Sequence, residues 1–287
     1  MVPAYSGPPA LTWGRAFSTW HLDVVALILA VLLAAAYVAG VRAVRAGGHG
    51  RWPTGRSVLF GFGVALLVLT CCSSLGAYAS VLAWVYAAQM ALLLSAVPVL
   101  LALGQPVELA AEVSPRRTAA VLRFPLVRLL TFPPVAMALV VGVPFLVWFT
   151  GWYAASLENA WVRGLTHVVL VVVGFAFFWS LLEVEDSRRR LPWAAAAAIV
   201  FVETVLDAVP GIVVWLRSSV LAPGYWGTLA RPWGRTPLAD QRLGGLVFWG
   251  IGEVVGLPIL LATVVGWMRA DAAEARRIDA ELDAQGL

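Results

Sequence analysis

Polar and metal-binding side chains stand inside long apolar segments of this chain, where each of them is costly. Tyr86, Gln89 and Met90 lie three and four residues apart in one apolar stretch, so they share one face of a helix. Glu203 and Asp207 are four residues apart in another such stretch. Two carboxylates on one face disfavour joint ionisation unless a proton or a cation serves them. Ionisable groups in such a setting indicate a function by default.

The soft side chains in this set are chemically compatible with a copper site, although their spacing matches no recognised copper motif. Thioether, thiolate and imidazole groups are ligands suited to Cu(I), and Met90, Cys72 and His167 supply one of each. The candidate metal ligands are Met90, His167, Asp207, Glu203, Tyr86 and Cys72. A structural role is the alternative for each, because methionine and cysteine fill gaps in cores and tyrosine is common at membrane interfaces.

The elements that must position these residues are predicted to be membrane-spanning helices. The chain is 61% hydrophobic and 13% charged, whereas soluble domains carry about 25% charged residues. Seven apolar stretches are long enough to span a bilayer. The predicted fold is an all-α bundle forming one integral membrane domain, residues 1–287, with spans at 21–41, 57–79, 81–103, 129–153, 165–182, 193–216 and 246–268 and a helical cytoplasmic tail, 269–287. Pro133, Pro134 and Pro144 are expected to break the fourth span.

The arginines predict the orientation of this bundle. All 20 basic residues are arginine, and 14 of them fall on one side if the N-terminus is outside and the C-terminus is cytoplasmic. Cytoplasmic loops carry the excess of basic residues, so this orientation is the predicted one. It places nearly all the unusual polar residues in the outer half of the membrane. They form one externally accessible site if their helix faces converge.

Several function classes are disfavoured. Nucleic-acid binding needs a clustered basic face, whereas the arginines here are spread over loops. No nucleophile–base set, phosphate-binding glycine loop or dinucleotide motif indicates an enzyme. A cation- or proton-coupled transporter using Glu203 and Asp207 remains an alternative, although the sequence lacks the internal repeat common in transporters.

Several short motifs together resemble one membrane-protein family. The stretch DQRLGGLVFWGIGE, Asp240 to Glu253, is similar to the family's opening of its last span. Matching positions elsewhere are the Tyr37–Arg42 segment, Trp52–Pro53, Phe60–Gly63, Tyr78, Leu103–Pro106, and the tail residues Trp267, Arg269, Asp271, Glu274, Arg277 and Asp279. The chain resembles, over nearly its whole length, the CtaG-type cytochrome c oxidase assembly factors.

The resemblance implies a seven-span protein of the plasma membrane that acts in copper delivery to, or maturation of, an oxidase subunit. The family's third span usually carries a His-x-x-Gln-His pattern, and here Tyr86 and Met90 flank the matching Gln89. His167 retains a family histidine, whereas Asp207 stands where another is common. A paralogue that keeps the scaffold without metal, and acts by protein interaction alone, is therefore the alternative within the family.

Overall fold

The structure, a computed structural model, describes residues 5, 7–47, 51–182 and 193–285. Within them the chain is helical and contains no strand, which confirms the predicted all-α class. The helices are α1 (Trp13–Ser18), α2 (Val24–Ala46), α3 (Thr54–Cys72), α4 (Ser74–Tyr78), α5 (Ala83–Leu94), α6 (Ala96–Leu103), α7 (Pro106–Val113), α8 (Pro115–Leu122), α9 (Pro125–Leu130), α10 (Pro133–Phe149), α11 (Trp152–Glu158), α12 (Ala160–Leu182), α13 (Trp193–Leu216), α14 (Pro223–Thr228) and α15 (Pro237–Gln285).

Six helical segments of this part of the chain are long and apolar enough to cross a membrane. If α10 and α11, which meet at an angle of 71°, form one bent span, the number of such segments is seven. The fourth span was expected to break at its prolines, and this expectation is wrong. The bend lies at Thr150 and Gly151, whereas Pro144 lies inside α10. Pro133 instead starts α10, a position where the missing N–H of proline costs nothing.

The third predicted span, 81–103, is broken in its middle. Ser95 separates α5 from α6, with φ −119° and ψ −71°. Its hydroxyl donates to the carbonyl of Ala91 at 2.7 Å, and Pro98 removes one further backbone donor from the next turn. This interruption separates α5, which carries Tyr86 and Met90, from α6.

The other predicted spans differ from the observed helices mainly at their ends. The first and second begin at Val24 and Thr54 and continue to Ala46 and Cys72. The fifth begins earlier, at Ala160, and the sixth has the predicted bounds, Trp193–Leu216. The seventh lies within α15, which runs from Pro237 and continues through the tail to Gln285, so the expected helical tail is observed up to that residue.

Two spans form the centre of the bundle. The apolar windows of the segment Ala83–Val113 and of α12 are each 67% buried, against 17% for α2 and 6% for α15. The helix α15 packs along α13 and α5, and α12 packs against α5, α6 and α10. A side chain on the inward face of α5 or α12 is therefore shielded from lipid by neighbouring helices.

The segments before α2 and after α13 cover one end of the bundle. Ser74 donates to the carbonyl of Ala16 at 2.8 Å, and Tyr78 donates to that of Pro9 at 2.8 Å. From the other segment, Tyr225 donates to the carbonyl of Ser80 at 2.7 Å. The starts of α2, α5, α12 and α15 and the end of α3 meet at this covered end, which is the predicted external side.

Candidate metal centre

Three potential ligands from three helices meet at the covered end of the bundle. His167 Nδ1 lies 3.0 Å from Asp23 Oδ2 and 3.6 Å from Cys71 Sγ. One ligand atom from each residue lies within 4.8 Å of the other two. Cys71 and His167 are buried, and the side chain of Asp23 is 10% exposed. Among the residues that the structure describes, this is the one group of three or more His, Cys, Asp or Glu residues close enough to hold an ion.

Asp23 has two roles in this cluster. It is the N-cap of α2, where its Oδ1 accepts the backbone N–H of Ala26 at 2.9 Å. Burial raises the pKa of the Asp23 carboxyl, but the hydrogen bonds from His167 and Ala26 outweigh burial and hold its pKa below the usual range. Asp23 therefore supplies a negative charge beside the imidazole.

Two glycines permit the close approach of these helices. A Cβ at Gly164, one turn before His167, would lie 2.6 Å from Cγ2 of Val25 in α2. A Cβ at Gly76 would overlap the backbone carbonyl of Cys71. Since glycine has no side chain, α12 can approach α2 and α4 can fold back on the end of α3. The cluster thus depends on small residues that are not themselves ligands.

A small cavity adjoins the cluster and is lined by the polar and thioether side chains of the third predicted span. It has a volume of about 10 Å³ and is lined by Tyr86, Gln89, Met90, Leu93, Arg163, Thr166, His167 and Leu170. Tyr86 is hydrogen-bonded to Ser156 at 2.9 Å, and Gln89 donates to the carbonyl of Thr70 at 3.0 Å. Met90 is 2% exposed and has no polar partner. Three predicted ligands, Tyr86, Met90 and His167, therefore share one cavity.

The remaining predicted ligands lie elsewhere. Glu203 and Asp207 line a different cavity, which Ala91 and Leu94 of α5 also line. Cys72 is buried but is not a member of the cluster, whereas its neighbour Cys71 is. Glu203 and Asp207 thus lie apart from the other candidates, and the cysteine beside His167 is Cys71, not the predicted candidate Cys72.

Sequence reasoning missed two members of the cluster, Cys71 and Asp23. Asp23 lies within the predicted first span, near its start. An acidic residue immediately before an apolar run is a common N-cap signal, and this signal was present. For Cys71 the signal is the helical spacing Phe60, Gly63, Leu67, Cys71, which places it on the buried stripe of α3.

Comparison with known proteins identifies the family of this fold. The family model described as cytochrome c oxidase caa3 assembly factor (Caa3_CtaG) matches residues 35–270, which is most of the chain. The chain belongs to this family.

Relatives of this chain are found in mycobacteria. It is 31% identical over 290 residues to the uncharacterized protein Mb0105 of Mycobacterium bovis, covering 97% of this chain and 44% of that protein. It is 29% identical over 287 residues to the uncharacterized protein ML1998 of Mycobacterium leprae, covering 96% of this chain and 43% of that protein. The chain thus spans less than half the length of these relatives. No solved structure matches it.

The motif Asp240 to Glu253, which resembles the family's last span, joins the last helix to the centre of the bundle. Asp240 accepts the backbone N–H of Ala83, the first residue of α5, at 2.6 Å. Gln241 accepts the N–H of Leu221 at 2.6 Å and donates to the carbonyl of Ser219 at 3.1 Å. Asp240 therefore holds the start of α5, the helix that carries Tyr86 and Met90, while Gln241 holds the segment that follows α13.

Proposed function

We propose that this protein is an oxidase assembly factor that holds copper as cargo at the covered end of the bundle. In this proposal that end faces outward at the plasma membrane, where a cytochrome c oxidase subunit would receive the ion. Asp23, Cys71 and His167 would hold the ion. The close approach of these three side chains is the observation that carries the proposal.

The donor set suits copper. A cysteine thiolate is a soft ligand that favours Cu(I), and imidazole also binds copper well. Asp23 adds a negative charge that offsets the charge of a bound cation. Its Oδ2 and Cys71 Sγ both face His167 Nδ1, the nitrogen that would bind the ion in its deprotonated form. The thioether of Met90 lies in the adjoining cavity, which makes it the candidate for a second soft contact during transfer.

The metal-free alternative has an observation of its own. The Asp23–His167 pair and the N-cap of α2 hold α2 against α12 whether or not an ion binds. A paralogue acting only through protein contacts would keep these contacts because they stabilise the packing of α2 against α12. The two hypotheses differ in the role of the Cys71 thiol. It would bind the ion in the copper proposal, whereas in the metal-free alternative it adds little to the contacts between α2 and α12.

The test is anaerobic Cu(I) titration of the full chain in detergent, in competition with a chromophoric Cu(I) chelator. We expect saturable binding that is weakened at least about tenfold in Cys71→Ala and His167→Ala, as loss of a ligand requires. Cys72→Ala is the matched control, because it removes the neighbouring thiol, which lies outside the cluster. Equal binding by Cys71→Ala and Cys72→Ala, or no binding at all, would favour the metal-free alternative.

The cellular test is the oxidase itself. In a deletion strain we expect reduced oxidase activity and reduced copper content of the oxidase. Expression of the wild type or Cys72→Ala should restore both, and Cys71→Ala should not. Full oxidase copper in the deletion strain would contradict a role in copper delivery.

A further inference from the structure

We propose that the start of α15 is a binding site for one anionic phospholipid, with the phosphate at Arg242 and an acyl chain along the exposed face of the helix. The site is a groove of about 400 Å³ lined by Thr236, Leu238, Ala239, Arg242, Leu243 and Leu246. It shares no lining residue with the cavity beside His167. The inference goes beyond the copper proposal and does not depend on it.

The groove lies where α15 enters the membrane. The segment Pro237–Arg269 is long and apolar enough to cross a bilayer, and the predicted seventh span begins at Leu246. The lining residues Ala239, Arg242 and Leu246 are three and four residues apart, so they share one face of the helix. A basic group and an apolar wall on one face at this depth match the two parts of a phospholipid, its headgroup and its acyl chain.

Arg242 is held at one nitrogen and has donors left for a ligand. Its Nε donates to the backbone carbonyl of Arg217 at 3.2 Å, which uses one of the five N–H donors of a guanidinium. Its two terminal nitrogens have no hydrogen bond or ion pair within the described part of the chain. A guanidinium can bind phosphate oxygens through two parallel N–H groups. Arg242 is therefore oriented by the protein and able to receive a phosphate.

Arg217 adds a second positive charge beside Arg242. Its guanidinium carbon lies 5.5 Å from the ring centre of Phe149, and one terminal nitrogen donates to Ser219 Oγ at 3.2 Å. Its Nε is buried without a hydrogen-bond partner. Among the described residues, no carboxylate forms an ion pair with either arginine. This uncompensated charge favours an anionic headgroup over a zwitterionic one.

An apolar face continues from the groove into the membrane. Leu246, Val254, Leu257 and Leu261 are exposed, and their spacing of eight, three and four residues places them on one side of α15. Gly250 lies on the same side, where a Cβ would meet nothing within 4 Å. From 246 to 261 the helix rises about 22 Å, more than half of a hydrocarbon core of about 30 Å. An acyl chain starting at the groove thus has an apolar surface along the whole depth of one leaflet.

The neighbours of Arg242 give a bound lipid a structural effect. Asp240 holds the start of α5, and Gln241 holds the segment after α13. A lipid that binds the folded arrangement of these segments stabilises it by mass action. We therefore expect the lipid to raise the thermal unfolding midpoint of the protein.

The test is native mass spectrometry of the full chain in detergent, with phosphatidylglycerol and phosphatidylcholine of identical acyl chains as probes. We expect one phosphatidylglycerol to bind at least about fivefold more tightly than phosphatidylcholine, and Arg242→Gln to remove this preference. Arg15→Gln is the matched control, because Arg15 is also an exposed arginine at the covered end and donates to a backbone carbonyl, that of Ala10. The unfolding midpoint of each lipid-free variant checks that it is folded.

Ala239→Phe tests the apolar part of the site without changing its charge. Ala239 is exposed and lines the groove, so the larger side chain should fill the groove and weaken the binding of both lipids. Wild-type lipid binding in Ala239→Phe would overturn the proposal. Copper binding by Arg242→Gln should be normal, so failure here is distinguishable from failure of the copper proposal.

Four other results would also overturn the lipid assignment. Two are equal binding of the two lipids by the wild type and a preference that survives in Arg242→Gln. The third is displacement of phosphatidylglycerol by inorganic phosphate at equal concentration, which would indicate a site for the anion alone. The fourth is a wild-type dimer that Ala239→Phe abolishes, which would assign the groove to a second copy of the chain.

Discussion

Asp23 Oδ2 lies 3.0 Å from His167 Nδ1, so one contact joins the first residue before α2 to the second turn of α12. Because Asp23 also caps α2, its two functions can be separated by substitution. Asn caps helices as well as Asp does but carries no charge. Alanine removes both the cap and the charge.

Asp23→Ala is expected to destabilise the protein more than Asp23→Asn does. Loss of the cap costs about 0.5–2 kcal/mol, and both substitutions also replace the carboxylate that contacts His167 Nδ1. The measurement is the thermal unfolding midpoint of each variant in the same detergent. Equal midpoints for the two variants would mean that the cap contributes nothing, and a wild-type midpoint for Asp23→Asn would mean that the charge contributes nothing.

Gly164→Ala is expected to lower the thermal midpoint and to weaken copper binding together. The new Cβ would meet the side chain of Val25 at 2.6 Å, and valine cannot easily rotate away because it is β-branched. Overpacking of this kind costs about 1–3 kcal/mol. Gly142→Ala in α10 is the control, since a Cβ there meets nothing within 4 Å. A normal midpoint in Gly164→Ala would show that α2 and α12 move apart freely.

Met90 and Tyr86 line one cavity with His167, and their substitutions should have different effects. Met90→Leu keeps the volume and removes the soft sulfur, so we expect weaker Cu(I) retention with little change in stability. Tyr86→Phe removes the hydrogen bond with Ser156, which contributes about 0.5–1.5 kcal/mol, and should leave Cu(I) retention unchanged. Competition titration and thermal unfolding of both variants measure these effects. Unchanged retention in Met90→Leu would mean that Met90 only fills space.

The helical class and most spans follow from local patterns. Long apolar runs predict the spans, and proline at the start of α7, α8, α9 and α10 divides the connection after the third span. The break at Ser95 was missed because neither serine nor a nearby proline alone ends a helix in a membrane. The break depends on packing by other helices.

The candidate site was predictable only in part, because its contacts join distant segments. His167 and Met90 stand out in their own spans as polar or soft residues. The partners of His167 depend on how α2, α3 and α12 pack, and Gly164 and Gly76 control that packing without being chemically unusual themselves. Whether two polar faces converge is likewise a tertiary property, which is why Glu203 and Asp207 were grouped with residues of another cavity.

The predicted orientation can be tested with single cysteines at the two ends of the bundle. In a chain without Cys71 and Cys72, Gly227→Cys lies in α14, at the covered end, where a Cβ meets nothing within 4 Å. Glu112→Cys lies in α7, at the opposite end, and is exposed. If the N-terminus is outside, a membrane-impermeant maleimide should label position 227 in intact cells and position 112 only after permeabilisation. The opposite pattern would place the Asp23–Cys71–His167 cluster on the cytoplasmic side and so exclude copper transfer at the outer face. It would also mean that the arginine asymmetry predicted the wrong orientation.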